Sequence, residues 1–189
     1  MKRYSVETLK KILGKIEYVR HRRETSRWDL IFATAKLTDV GSSWNIQIGG
    51  GGQGKGSVLD KYERKDLAEA RNKAYSRIEK LIMECFYCID PEYRIYVYDL
   101  YLRPDRKKLK NSPAAEAERY GYDRRKFVPQ LNEAMERSLN TETMSRILDE
   151  IRNIANENGI EELIQIFSEE ESIRNSAVGT ECDTHLQKK

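Results

Sequence analysis

Apolar residues recur at spacings of three and four along most of this 189-residue chain, which is the period of an amphipathic α-helix. The pattern covers residues 6–37 and 58–89 and several shorter stretches after 90. Residues 41–57 interrupt it, and six of the 11 glycines lie within residues 49–56. Because four consecutive glycines lose much backbone entropy in regular structure, this segment is predicted to be a flexible linker. We therefore expect an all-α fold.

The two long helical segments and their linker predict an antiparallel helical hairpin over residues 1–89. The first segment is either one long helix or two helices with a break near Thr25 and Ser26. Its expected core stripe is Val6, Leu9, Ile12, Leu13, Ile16, Val19, Trp28, Ile31, Ala35 and Leu37. The corresponding stripe of the second segment is Leu67, Ala70, Ala74, Ile78, Leu81, Ile82, Cys85 and Ile89.

Local start and stop signals divide the second half of the chain into further helices. Asp90 as N-cap and Pro91 at the first helical position begin a helix that reaches about Leu102. Ser112 and Pro113 begin the next helix, and Gly121 ends it. The helix after this glycine is capped by Asp123 and runs to Leu139; another spans 141–158 and ends at Gly159. We assign 90–139 to one domain, 140–167 to a helical extension and 168–189 to an acidic, disordered tail.

The net charge of +3 averages over regions of opposite sign. Residues 141–189 hold 5 basic and 11 acidic residues, a net charge of −6, so the first 140 residues carry +9. Within them, residues 1–27 carry +6 and residues 103–128 carry +5. This division predicts a polyanionic partner for the basic part of the chain.

The enzymatic and metal-binding motifs are incomplete. Gly49-x4-Gly54-Lys55 approaches a phosphate-binding loop, but Gly56 stands where that motif needs Ser or Thr to bind Mg²⁺. Cys85 and Cys88 have the spacing of a zinc or redox pair, but His21, His185 and Cys182 lie far from them in the sequence. We therefore expect no enzyme activity, no metal site and no cofactor.

Membrane insertion and secretion are not expected either. The sequence contains no run of 18 or more apolar residues, and its first residues are charged, without the apolar core of a signal peptide. The 3 cysteines are too few and too uneven for a disulfide framework. A reduced, cytoplasmic protein is the expectation.

Residues 112–139 have the pattern of a helix-turn-helix. An alanine-rich helix is followed by a turn at Gly121 and by a second helix that opens with Arg124, Arg125 and Lys126. These side chains would enter the major groove of double-stranded DNA and contact base edges or phosphates. The alternative is a pair of ordinary packed helices with a solvated basic patch.

Several short motifs in this region resemble σ-factor region 4. They are Asp90-Pro91-Glu92-Tyr93-Arg94, Tyr101-Leu102, Ala117-Glu118-Arg119-Tyr120-Gly121-Tyr122-Asp123, and Ala134-Met135 with Leu139. The resemblance is strongest to the σ-like late-gene activators of phages, the ArpU and RinA type. It implies a sequence-specific transcriptional regulator of phage or prophage genes that acts with host RNA polymerase. The residues expected to contact DNA are Arg106, Lys107, Lys108, Lys110, Arg119, Arg124, Arg125 and Lys126.

Three points stay open at this level. Pro129 lies inside the predicted recognition helix, so the helix either kinks there or begins there. The apolar stripe of 141–158 either forms a dimer helix or packs on the body of the chain, and the long helices are a second possible route to a homo-oligomer. The basic residues of 1–27 contact phosphate, contact the acidic tail or form a solvated face. Two other functions compete with regulation: a DNA-packaging subunit like the phage small terminases, and a helical adaptor that binds no DNA.

Overall fold

The computed structural model describes residues 4–42, 58–103, 118 and 121–183, and every regular element in this part of the chain is helical. The elements are α1 (Val6–Gly14), α2 (Ile16–Ser42), α3 (Val58–Tyr87), α4 (Pro91–Val97), a π-helical turn (Tyr98–Leu102), α5 (Arg124–Leu139), α6 (Glu142–Glu157) and α7 (Glu161–Asp183). The all-α prediction is confirmed for these residues. None of the described helices is long and apolar enough to cross a bilayer.

The chain forms two compact units that differ from the predicted domain limits. One unit consists of residues 18–79, and the other combines residues 1–17 with 80–189. Residues 1–17 belong to the second unit because α1 packs against α5, α7 and the π-helical turn. The inward face of α1 is fully buried there through Leu9, Ile12 and Leu13.

Within the unit 18–79, polar contacts join the start of α2 to the end of α3. The Arg20 Nε atom donates to the Glu79 carboxylate over 3.0 Å, and Arg23 pairs with the same carboxylate. The Arg22 Nε atom lies 3.5 Å from the Tyr75 hydroxyl. Residues early in α2 therefore contact residues late in α3, as they do in an antiparallel pair.

The break in the first helical segment is at Lys15, and the predicted break near Thr25 and Ser26 is wrong. Lys15 separates α1 from α2, and its N–H donates to the Ile12 carbonyl over 3.0 Å. Helix α2 continues through Thr25 and Ser26 because their hydroxyls donate to carbonyls four residues earlier, over 3.0 and 2.8 Å.

Five residues assigned to the core stripes of the hairpin are exposed instead: Trp28, Ile31, Ala35, Leu67 and Ala70. Trp28 and Ile31 are 52% and 45% exposed, and Leu67 on α3 is 52% exposed. The buried residue in this part of α2 is Ser26, and residues 30, 33 and 37 on the same face are half-buried. Side chains 26, 30, 33 and 37 lie on the opposite side of the helix from Trp28.

The second unit has one continuous core. Its fully or almost fully buried side chains include Ile16, Leu81, Ile82, Ile89, Tyr96, Leu102, Phe127, Leu131, Met135, Met144, Leu148, Ile151 and Leu163. The stripe of 141–158 contributes Met144, Ile147, Leu148 and Ile151 to this core, so it packs on the body of the chain. These residues are buried within one copy of the protein.

Helix α6 ends at the predicted glycine. Gly159 has a φ of 61°, in the left-handed region that favours glycine. The Ile160 N–H donates to the Ala155 carbonyl over 2.9 Å, and the Gly159 N–H donates to the Asn156 carbonyl over 3.4 Å. These two bonds form a Schellman motif, and Ile160 is buried beside it.

Helix α7 continues past Ser168, where the sequence predicts the start of a disordered tail. Its backbone is helical to Asp183. Glu170 is only 7% exposed, and its carboxylate accepts hydrogen bonds from the Ser5 hydroxyl, over 2.6 Å, and from the Thr8 hydroxyl. At least one acidic residue of the segment predicted to be disordered, Glu170, therefore contacts the start of α1.

Candidate nucleic-acid interface

The first turn of α5 is positioned by a glycine turn and an aspartate cap. Gly121 has a φ of 78°, and its N–H donates to the Glu118 carbonyl over 3.0 Å. Asp123 is the N-cap, and its carboxylate accepts from the Arg125 N–H over 2.8 Å. The predicted role of Asp123 as a cap is confirmed, and Gly121 has the left-handed backbone that a helix-ending glycine requires.

Phe127 anchors this turn in the core. The side chain is 1% exposed. Its ring centroid lies 4.4 Å from that of Tyr96 in an edge-to-face contact, 4.3 Å from that of Tyr122, and 5.7 Å from that of Tyr93. Tyr93 and Tyr96 therefore hold the start of α5 against α4, and Tyr122 packs on Phe127 from the preceding turn.

The two residues before this anchor point into solvent. Arg125 and Lys126 are both exposed, and neither forms an ion pair with another described residue. The first turn of α5 contains no acidic residue after the cap. Positive charge at a helix N-terminus opposes the helix dipole, which places partial positive charge at that end. The partial positive charge of the helix end and the two cations together favour an anion here.

Pro129 does not begin the helix. Helix α5 starts at Arg124 and continues through Pro129 to Leu139, with the Lys126 and Phe127 N–H groups donating to the Asp123 carbonyl over 3.1 and 2.9 Å. Phe127 before the proline and Leu131 after it are both buried, while Pro129 itself is exposed. The two buried neighbours keep the helix continuous although the proline removes one intrahelical bond.

The predicted DNA contacts fall into two groups. Arg125 and Lys126 lie next to each other on the exposed start of α5, and Arg124 is the first residue of the same helix. The other predicted contacts lie outside the described residues, as do Ser112 and Pro113, which are predicted to begin the first helix of the helix-turn-helix. These contacts are Arg106, Lys107, Lys108, Lys110 and Arg119.

The basic residues of the N-terminal region have partners within the chain. Lys10 pairs with Glu7 over 2.7 Å, and Lys11 pairs with Glu169 of α7 over 2.6 Å. The hydrogen bond and charge of Glu169 raise the pKa of Lys11, and Lys11 lowers the pKa of Glu169. The sequence leaves three roles open for the basic residues of 1–27. Lys11 has the second of them, because it contacts the acidic C-terminal part of the chain.

Arg94, the last residue of the motif Asp90-Pro91-Glu92-Tyr93-Arg94 that resembles σ-factor region 4, stabilises the end of a neighbouring helix. The guanidinium donates to the Tyr87 and Ile89 carbonyls over 2.6 and 2.8 Å, and it lies 6.0 Å from the centroid of the Tyr87 ring. Arg94 therefore closes the C-terminal end of α3, where unpaired carbonyls favour a cation. The sequence signal for this role is a basic residue a few positions after a predicted helix end.

Cys85 belongs to the core, and Cys88 lies half-buried beside it. Cys85 is fully buried, and burial raises the pKa of its thiol. Burial also raises the pKa of Cys88, so neither thiol is poised as a thiolate. Among the described residues, no cluster of His, Cys, Asp and Glu is arranged to hold a metal ion. Gly49–Lys55, the incomplete phosphate-loop motif, lies outside the described residues, and so do His185 and the side chain of Cys182.

A cleft of about 590 Å³ lies away from α5, between α1 and α7. Its lining mixes lysines with glutamates: Lys10, Lys11, Lys15, Glu7, Glu162 and Glu169. Because its lysines and glutamates are equal in number, the cleft has no net preference for an anion.

Comparison with known proteins does not assign the chain to a family. Protein-family models, curated proteins and solved structures were all searched, and none of them matches it.

Proposed function

We propose that this protein is a sequence-specific DNA-binding regulator of transcription, and that the start of α5 is the part that enters the major groove. Arg124, Arg125 and Lys126 would contact base edges and phosphates there. In this proposal α5 is the recognition helix of a helix-turn-helix that follows the helical hairpin. Double-stranded DNA is the partner, and the resemblance to phage activators adds host RNA polymerase.

The observation that carries the proposal is the position of the cations. The first turn of α5 brings exposed Arg125 and Lys126 to a helix end that already has partial positive charge. Such an arrangement lowers the stability of the helix by about 0.3–1 kcal/mol for each charge in the unbound protein. A phosphate bound at the same place would stabilise this helix end, because its negative charge offsets both the cations and the dipole.

The anchoring of the turn gives a second line of support. Phe127 is held among three tyrosines, so the backbone that carries Arg125 and Lys126 is fixed before any ligand arrives. A fixed backbone reduces the entropy that binding must offset and gives the two side chains a defined spacing. Base readout requires this kind of defined geometry, whereas a merely solvated basic patch does not.

The first experiment measures binding of a labelled duplex by fluorescence polarisation at several salt concentrations. If about six phosphates are neutralised, log K falls against log salt with a slope of roughly −5. The duplex would come from selection out of a random pool, which also gives the preferred sequence. Absence of binding to any duplex would favour the helical adaptor.

Matched substitutions then separate base readout from phosphate contact. Arg124→Ala with Arg125→Ala is expected to abolish the preference for the selected sequence, whereas Lys107→Ala weakens binding to all duplexes alike. Lys73→Ala is the control because Lys73 is exposed and pairs with Glu69 on α3. Equal losses in all three variants would contradict a recognition role for α5.

A further inference from the structure

One side of α5 is exposed over the whole length of the helix. Its residues recur at spacings of three and four, as expected for one face of an α-helix, and they are Lys126, Pro129, Gln130, Glu133 and Arg137. The opposite side packs into the core through Phe127, Leu131 and Met135. When α5 lies in a major groove, the exposed side is the one that faces the bases.

Charge limits the part of this side that meets DNA. Near the end of α5, the Arg137 guanidinium binds the Glu133 carboxylate over 3.0 Å, so this pair has no net charge to attract phosphate. At the start of the helix, Arg125 and Lys126 form no ion pair with another described residue. The attraction for DNA is therefore concentrated at the first two turns, residues 124–130.

Gln130 is the hydrogen-bonding side chain of the second turn. The other residues of 127–130 are a buried phenylalanine, a valine and a proline, none of which has a polar side-chain atom. Gln130 is exposed, and its amide forms no hydrogen bond with another described residue. By contrast, the exposed Gln165 of α7 donates to Glu169, four residues later, over 3.1 Å. The corresponding position for Gln130 is Ala134, so its own helix offers no such acceptor.

We propose that Gln130 reads an adenine in the major groove of the bound duplex. The adenine N6–H group would donate to the glutamine Oε1 atom, and the glutamine Nε2–H group would donate to adenine N7. Guanine presents two acceptors and no donor in the major groove, so it would leave Oε1 without a partner. This inference rests on the proposed function, because it names a base that the same helix would select.

The spacing along α5 gives the expected place of this adenine. Gln130 follows Lys126 by four residues, which is a rise of about 6 Å and a rotation of about 40°. Successive bases of B-DNA are about 3.4 Å apart, so the two side chains reach positions about two base pairs apart. Guanine is the base that lysine and arginine contact most often. The selected duplexes should therefore contain a guanine and an adenine at about this separation.

The first test compares duplexes selected from a random pool by the wild type, by Gln130→Ala and by Gln165→Ala, which is the matched control. The wild type and the control should select adenine at one position, and Gln130→Ala should accept any base there while it keeps its other preferences. Replacing this adenine should weaken wild-type binding by about fivefold to a hundredfold and should leave binding by Gln130→Ala unchanged.

Two different failures can be told apart in this test. A wild type that selects no sequence would overturn the proposed function and this inference together. A selected sequence whose adenine preference persists in Gln130→Ala would overturn the inference alone, because another part of the protein then reads that base.

The second test examines the hydrogen bond itself. The selected duplex is prepared with 7-deazaadenine at the expected position, which keeps the N6 amino group and the pairing with thymine but lacks the N7 acceptor. By fluorescence polarisation, the wild type should bind this duplex more weakly than the unmodified one, and Gln130→Ala should bind both equally. Gln130→Glu should prefer cytosine, whose N4–H group donates to a carboxylate. An equal loss in the wild type and Gln130→Ala would overturn the direct contact.

Discussion

The N-termini of α1 and α5 use opposite electrostatics. Helix α1 has Ser5 as its cap, Glu7 in its first turn, and the buried Glu170 carboxylate bonded to its Ser5 and Thr8 hydroxyls. Helix α5 has basic residues in its first turn and no acid after the cap. The first end is complemented by Glu7 and Glu170, whereas at the second end only the Asp123 cap is acidic and the turn that follows it is basic. A helix start with more basic than acidic side chains is therefore the better candidate for binding an external anion.

The largest expected effect removes the anchor of α5. Phe127→Ala should lower the free energy of unfolding by about 3–5 kcal/mol, because it leaves a cavity among three tyrosines. Urea denaturation measures this change, and Ile95→Ala, at a position that is 60% exposed, should stay within about 0.5 kcal/mol of the wild type. An effect of Phe127→Ala no larger than that of the control would show that the first turn of α5 is not anchored.

The next effect tests the complement of α1. Glu170→Ala should cost about 2–3 kcal/mol, because two hydroxyls then lose a charged acceptor in a buried place. Glu171→Ala on the same helix is the control, since its carboxylate is about half exposed and pairs with Arg152. Chemical denaturation of both variants gives the comparison, and equal losses would contradict the special role of Glu170.

Alkaline pH should affect the same end of α1. Burial, followed by the 2.6 Å hydrogen bond to Asp149, raises the pKa of Tyr4 to about 12. Because the raised value favours the neutral phenol in the folded state, its contribution to stability is complete below about pH 10 and is lost as the pH rises through 12. Denaturation curves across this interval should show a loss for the wild type that is smaller for Tyr4→Phe. An identical decline in the two proteins would rule this out.

The smallest expected effect on stability comes from a substitution that should change stability and duplex binding in opposite directions. Arg125→Glu should stabilise the unbound protein by about 0.3–1 kcal/mol, because it puts an acid in the first turn of α5. The same change should abolish duplex binding. Thermal denaturation measures the gain in stability, and fluorescence polarisation measures the loss of duplex binding. A loss of stability would show that the arginine is structural.

Local chemistry predicts the helix ends well. Asp90 with Pro91, Gly121, Asp123 and Gly159 act at the positions that the sequence indicates, because caps and left-handed turns depend on a few neighbouring residues. The position of Arg125 and Lys126 in the first turn of α5 could be predicted for the same reason, because it follows from the Asp123 cap.

What the sequence does not reveal depends on distant contacts. Helix α7 includes Glu170, which is bonded to Ser5 across 165 positions of the chain, so composition alone suggested a disordered tail. The outward position of Trp28 depends on which face of α2 meets α3, and its helical spacing fits either face. The aromatic anchor at Phe127 needs residues from α4 that are about thirty positions away.

The contact between α1 and α7 also has a consequence for synthesis on the ribosome. The residues of α1 emerge early, but the residues that cover them, among them Phe167 and Glu170, are translated last. Residues 18–79 can fold as soon as α3 has emerged, while the cover of α1 is complete only after α7 has been made. Leu9, Ile12 and Leu13 are thus exposed longest in the nascent chain, and α1 is where a chaperone would be expected to bind during translation.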